Sequence, residues 1–272
     1  MLVADYHVHS DFSGDSTAPM EQMIERAIQL GLKKLCFTDH MDYDYPHKGD
    51  ICFVFDPQAY VEKISRLKKQ YHKQIELLTG IELGLQPQVA QQFTALMNSY
   101  EFDFAIGSTH VVDYIDPYFP QFWETRTKEE GIRQYFEAIR DNCRLFQDIF
   151  CVCGHLDYII RYVPARDGMK ADYHYADYAE LLDEVLKTIL SCGKGIELNT
   201  AGLKYGIGYA HPKFEVLKRY RELGGEIITV GSDAHKPEHL CYDFQVVPEL
   251  LKRAGFRYYT TFAEGKPVFE KL

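Results

Sequence analysis

LVADYHVHS, residues 2–10, begins as an apolar, strand-like run and ends in two histidines at alternate positions. On an extended chain residues i and i+2 point the same way, so His7 and His9 present two imidazoles to one cavity. The same phrase, an apolar run closing on a metal-competent side chain, recurs along the sequence. His40 in Thr-Asp-His follows the second run, Glu82 in Gly-Ile-Glu ends the third, and His110 in Gly-Ser-Thr-His ends the fourth. His155 in Gly-His-Leu-Asp ends the fifth and Asn199 in Glu-Leu-Asn-Thr the sixth. Asp233 and His235, in Gly-Ser-Asp-Ala-His, end the seventh and again stand two residues apart.

Between these runs the apolar residues take a helical period. Strands are expected at 2–6, 35–37, 75–81, 102–106, 149–153, 195–198 and 226–230, with a last short run at 257–261. Helices are expected at 20–30, 57–67, 89–97, 129–146, 178–190, 212–223 and 246–254. Alternating β and α elements imply a parallel sheet. A closed α/β barrel would bring all seven strand ends to one face, where barrel active sites are built. No Pro/Gly/Ser-rich linker interrupts the alternation, so residues 1–272 are expected to form one barrel domain. The loops at 41–56, 111–127 and 161–173 exceed the usual ~2–6 residues and are the expected binding rim.

Imidazoles and carboxylates together suit zinc, iron or manganese. The donors at these strand ends exceed what one ion needs, so more than one metal is expected. A carboxylate such as Glu82 can bridge two ions, which two-metal sites hold ~3.5–4 Å apart. His47, His72, His174, His211 and His239 fall in loops or on helices and read as structural. Cys151 and Cys153 read as small core residues rather than as a sulfur site.

Composition removes other classes of function. Asp+Glu 40 against Lys+Arg 30 gives a formal charge of −10, and no basic stripe appears. A nucleic-acid binder, which displaces counterions with clustered cations, is therefore not expected. No segment approaches the ~18 apolar residues of a membrane span, and the N-terminus lacks the pattern of a signal peptide. Seven dispersed cysteines read as reduced thiols in a cytoplasm. Gly206-x-Gly208 lacks the context of a nucleotide loop, and no serine sits in a Gly-x-Ser-x-Gly elbow.

Taken together, DYHVHS at 5–10, FTDH at 37–40, GIE at 80–82, GSTH at 107–110, GHLD at 154–157 and GSDAH at 231–235 resemble the successive motifs of the polymerase-and-histidinol-phosphatase (PHP) superfamily. GIELGL at 80–85, GHLDYIIR at 154–161, ELNTAGLK at 197–204 and GSDAHKPEH at 231–239 are most similar to its histidinol-phosphate phosphatases. The resemblance implies a distorted (β/α)7 barrel, TIM-like, with three divalent transition metals (zinc, iron or manganese) at the carboxyl ends of the strands. It assigns His7, His9, Glu82 and Asp233 to one metal. Glu82, His110 and His155 go to a second, and Asp15, His40 and His235 to a third. Thr-Ala at 200–201 and Lys204-Tyr205 depart from the pattern common in the family. The implied reaction is hydrolysis of L-histidinol phosphate, a step of histidine biosynthesis, by a metal-activated water. Arg161 and Lys204 would clamp the phosphate, and Asp233, His235 or a metal-bound water would protonate the leaving group. Asp42, Asp44 and the aromatic rim Tyr118, Phe119 and Trp123 would meet the substrate's amine and imidazole. Two other readings stay open: a PHP phosphoesterase acting on nucleotides or nucleic-acid ends, and a non-catalytic metal-binding module.

Overall fold

Short runs such as Leu35–Phe37 are apolar at every position, so they need cover on both faces, and a parallel sheet wrapped by helices supplies it. The computed structural model, which describes residues 2–46, 52–164 and 172–272, shows this arrangement. The strands are β1 (Ala4–Val8), β2 (Lys34–Phe37), β3 (His40–Met41), β4 (Glu76–Gly84), β5 (Phe104–Ser108), β6 (Val152–Cys153), β7 (Gly195–Asn199) and β8 (Ile228–Gly231). All pair in parallel in the order β1-β2-β4-β5-β6-β7-β8. β3 resumes the line of β2 after a break at Thr38 and Asp39 and pairs with the upper half of β4. The sheet closes on itself through a parallel bridge between Val8 and Ala234. At this seam the His9 N–H donates to the Ala234 carbonyl (2.9 Å) and the Asp233 N–H to the His7 carbonyl (2.8 Å). The expected distorted (β/α)7 barrel is the observed fold, and helices follow the strands much as the apolar period predicts.

Two packing layers result. Helices such as Met20–Gln29 and Lys128–Leu145 cover the outside, the latter started by a Thr127/Glu130 capping box. Inside the barrel, Ala4, Tyr6, Cys36, Leu78, Phe104 and Val152 form a second cluster, joined by Phe262. Phe262 comes from an antiparallel hairpin, β9 (Tyr258–Ala263) and β10 (Lys266–Lys271). The run expected at 257–261 is thus half of a hairpin appended to the barrel. β10 left no signal in the sequence because nearly all of it is exposed and carries no apolar alternation. Among the described residues no helix is long and apolar enough to cross a membrane.

The Tyr6 hydroxyl ties the hairpin to the interior. It donates to the Phe262 carbonyl (2.8 Å) and accepts from the Phe262 N–H (2.9 Å), both buried. Tyr6→Phe leaves two buried backbone groups unpaired while keeping the ring. It should cost about 1–3 kcal/mol, read as a lower urea midpoint with an unchanged m-value.

Candidate metal centre

β1 delivers His7 and His9 to the upper end of the barrel. Strict alternation would send Tyr6 and His7 to opposite faces, yet Tyr6 fills the interior and His7 joins the cluster above it; a register shift between Asp5 and Val8 permits this. Asp233 and His235 arrive differently from the expectation of two side chains on one extended segment. Asp233 has φ +53°, so a turn after β8 brings the pair together. His40 starts β3, next to a break held by the Asp39 carboxylate. That group accepts from the Ser10 N–H (2.6 Å) and from the Ser10 (2.9 Å) and Ser13 (2.8 Å) hydroxyls.

Glu82, on β4, lies at the centre and is fully buried. Its Oε2 faces His40 Nδ1 (3.0 Å), His7 Nε2 (3.2 Å) and His9 Nε2 (3.6 Å). Its Oε1 faces His155 Nε2 (3.1 Å) and His110 Nε2 (3.4 Å). The two oxygens thus address two different sets of imidazoles, the placement a bridging carboxylate needs. Asp233 Oδ1 completes the first set, 3.4 Å from His9 Nε2 and 3.9 Å from His7 Nε2. Asp15 Oδ2 lies 3.1 Å from His235 Nε2 and 3.8 Å from His40 Nε2. All nine side chains proposed as ligands from the sequence therefore meet in one cluster.

The donor set fits transition metals. Nε2 of His7, His9 and His235, Nδ1 of His40 and Oε2 of Glu82 are buried with no hydrogen-bond partner. Polar atoms so placed are costly unless something cationic satisfies them. On His7, His9 and His235 the opposite ring nitrogen is occupied, which fixes the free one inward. His7 Nδ1 donates to Glu197 Oε1 (2.6 Å) and His110 Nδ1 to Asp42 Oδ1 (2.6 Å). His9 Nδ1 pairs with Ser13 Oγ (2.9 Å), whose own proton goes to Asp39, so the ring must be the donor. Burial, reinforced by His235 and His40, holds His9 well below the usual histidine range; burial lowers His155 as well. Neutral imidazole is the ligating form. Burial opposes charge on Glu82 too, but His7, His40 and His110 hold its carboxyl well below the carboxylate range. Against its own burial, His110 is pushed up to about 10 by Asp42 and Glu82. Protons on these rings balance the buried carboxylates, a task that divalent ions perform with more charge and without protons.

Above the cluster opens a cavity of about 680 Å³. Arg161 lines it, as do Tyr118 and Phe119, in keeping with the expected rim. Other expected contacts are placed differently. Asp42 reaches the cavity wall, but its Oδ1 holds the His110 ring, so it orients a histidine instead of standing free for substrate. Trp123 does not line the cavity: its Nε1 donates to the Pro117 carbonyl (2.9 Å) and its ring packs on Phe122. Lys204 Nζ donates to the Asp233 carbonyl (3.2 Å), behind the cavity wall. Asp44 accepts from Gln88 (3.1 Å) away from the cavity. His239, read as structural, lines the mouth, whereas His211 is indeed buried and paired with Asp157. His47 lies outside the described residues.

Glu197 was missed from the sequence. It sits between Ile196 and Leu198 on β7, where the register sends it to the same face as Asn199. A lone carboxylate inside a wholly buried strand was the available signal. Its Oε2 also accepts from the His155 N–H (3.0 Å), so one carboxylate positions two of the histidines. Glu197→Gln should preserve the fold by circular dichroism yet weaken metal retention ~10- to 100-fold in a chelator titration, the scale of losing a ligand's supporting partner.

Comparison with known proteins agrees with this geometry. The family model described as PHP domain matches residues 5–201. The histidinol-phosphatase of Lactococcus lactis is 32% identical over 98% of this chain and 96% of its own length. A crystal structure of a histidinol phosphate phosphatase from that organism, complexed with zinc, L-histidinol and phosphate, has a TM-score of 0.88 at 30% identity. It covers 98% of this chain and 100% of its own. A structure from Listeria monocytogenes, 18% identical, shares the fold with a TM-score of 0.75, over 89% of this chain and 99% of its own. With its motifs assembled on one barrel face and its family match running over most of its length, the chain belongs to the PHP domain family.

Proposed function

We propose that this protein is a metal-dependent phosphomonoesterase that hydrolyses L-histidinol phosphate to L-histidinol and phosphate. The observation that carries the reading is the full-length likeness to the Lactococcus lactis enzyme, whose structure holds both products with zinc. The cluster around Glu82 stands where such metals would bind, below a cavity of fitting size. When bound, divalent ions would neutralise phosphoryl oxygens and lower the pKa of a water that attacks phosphorus. We assign one ion to His7, His9, Glu82 and Asp233, a second to Glu82, His110 and His155, and a third to Asp15, His40 and His235.

The chain's own groups do the rest. Arg161 faces the cavity with its guanidinium stacked on Tyr205 (3.8 Å to the ring centroid). Among the described residues no hydrogen bond or ion pair occupies its N–H groups, so they are available to phosphate oxygens. Lys204 lies behind Asp233 and contributes at most a more distant positive field. As the P–O bond breaks, the leaving alkoxide needs a proton, and Asp233 or His235, 3.5 Å apart on the cavity wall, can relay to it the proton that the attacking water gives up. We read residues 1–272 as one domain working in the cytosol, on a small molecule and not on nucleic acid. The charge of −10 supports the last point. A phosphate-release assay over histidinol phosphate, nucleotides and phosphotyrosine tests the assignment. Comparable turnover of the nucleotides would refute the substrate, and no turnover at all would favour a non-catalytic module.

Two variants probe the site. Glu82→Gln keeps the shape but removes the central charge. Bound metal, measured by elemental analysis, should fall from two or three equivalents, and turnover should drop by orders of magnitude. Arg161→Ala should leave metal content intact and lower kcat/KM ~10- to 100-fold, the scale of one charged hydrogen bond. Arg161→Lys should recover only part of this loss.

A further inference from the structure

Arg161 is aimed at the cavity by a neighbour that is itself half exposed. Its guanidinium stacks on Tyr205, 3.8 Å from the ring centroid, yet Tyr205 is 49% exposed and is not located by burial. The ring stands where its backbone puts it. That backbone leaves β7 at Asn199, runs through the short helix Ala201–Lys204 and returns at His211. Two backbone bonds close this excursion. The Asn199 N–H donates to the His211 carbonyl (2.7 Å) and the His211 N–H to the Asn199 carbonyl (2.8 Å). Arg161 belongs to a different segment, the one-turn helix Tyr158–Arg161 that follows β6.

A buried carboxylate joins the two segments. Asp157, 1% exposed, stands immediately before the Arg161 turn. Its Oδ1 meets His211 Nδ1 at the foot of the excursion, and because a carboxylate only accepts, the ring is the donor. Its Oδ2 accepts from the Lys213 N–H (2.8 Å) and from the Tyr173 hydroxyl (2.9 Å). His211 Nε2 is buried with no hydrogen-bond partner. Gly202 packs against that edge, where an added Cβ would lie 3.3 Å from Nε2. The ring thus commits its polar capacity to Asp157 and leaves a buried nitrogen bare to do so.

We infer that Asp157 and His211 are positioning residues for Arg161. By clasping the foot of the excursion to the Arg161 turn, they fix Tyr205 against the guanidinium and hold its N–H edge toward the cavity. The inference rests on the phosphatase reading and goes beyond it, since neither residue lines the cavity. A loose stack would keep the charge but blur its direction, and a planar fork binds phosphate only when it is directed.

Turnover of histidinol phosphate and competitive inhibition by inorganic phosphate, read together, test this. Asp157→Asn should retain metal and lower kcat/KM by roughly 3- to 30-fold, less than Arg161→Ala does. Inhibition by phosphate should weaken by a similar factor. His211→Leu removes the same link while leaving Asp157 its two other donors, and it carries the test should Asp157→Asn fail to fold. His211→Asn, whose amide N–H can replace Nδ1–H, should recover part of the loss. In the Arg161→Ala background the further loss from Asp157→Asn or His211→Leu should shrink to less than about twofold, because no guanidinium remains to be aimed. Losses that multiply in full there would reveal a general structural role and overturn the inference. So would folded variants with parental kcat/KM, and both outcomes leave the phosphatase reading standing. A parent protein that does not hydrolyse histidinol phosphate refutes that reading, and the inference with it.

Discussion

Closure of the barrel between β1 and β8 is the constraint on which the site depends. No regular ladder forms there. Three backbone bonds join the strands, and their donors and acceptors belong to His7, His9, Asp233 and Ala234. The bonds that complete the fold are thus made by the residues whose side chains form the cluster. Asp233 sits at φ +53°, a sparsely populated conformation for a residue with a side chain, and persists because its N–H is anchored to His7. The approach also requires Gly231, where an added Cβ would lie 2.3 Å from His7 Cβ and 2.4 Å from Glu197 Oε1. Asp5 supports the seam from below, accepting the Ser232 N–H (3.0 Å); its burial pushes that carboxyl up to about 6.

Once the seam is closed, the charges at its upper end need balance. Glu82, Glu197, Asp42 and Asp233 are buried within one group of imidazoles. In a low-dielectric interior such carboxylates are tolerated only with cationic or hydrogen-bonding partners. The rings divide that work by face. Their outer nitrogens meet Glu197, Ser13 or Asp42, while several inner ones make no hydrogen bond and face the carboxylates of Glu82 and Asp233. Such an arrangement orients ligands and raises their basicity before any ion arrives. The supporting residues are therefore as much a part of the centre as the ligands.

The sequence made most of the ligands legible because they close apolar runs, which are easy to read, whereas Asp15 closes none and entered through the family resemblance. His7, His40, Glu82, His110, His155 and Asp233 could be placed on one face as soon as a closed barrel was assumed. Groups whose roles depend on distances between strands were not legible. Glu197 belongs to the site through the spacing of β7 from β1. Trp123 and Lys204 looked available because their loops follow barrel strands, but backbone carbonyls of Pro117 and Asp233 take their donors. The hairpin of β9 and β10 was half hidden for a different reason. Phe262 enters the interior cluster and the Thr260 hydroxyl accepts from the Ile228 N–H, but β10 is nearly all exposed and resembles a tail.

The protein's overall charge bears on how the cavity captures its substrate. A chain of charge −10 repels a phosphate dianion at long range, so attraction must act within the reach of screening, about 8–10 Å. An arginine serves there only if no carboxylate neutralises it first. Among the described residues Arg161 is held by rings and pairs with no acid, with Tyr205, Tyr158 and Tyr162 at 3.8, 5.2 and 5.4 Å from its guanidinium. Stacking fixes the plane of the group and leaves its N–H edge free, whereas an ion pair would fix the plane by consuming that edge. Aromatic side chains are thus the means by which an acidic protein keeps one cation both rigid and unneutralised at the mouth of its site.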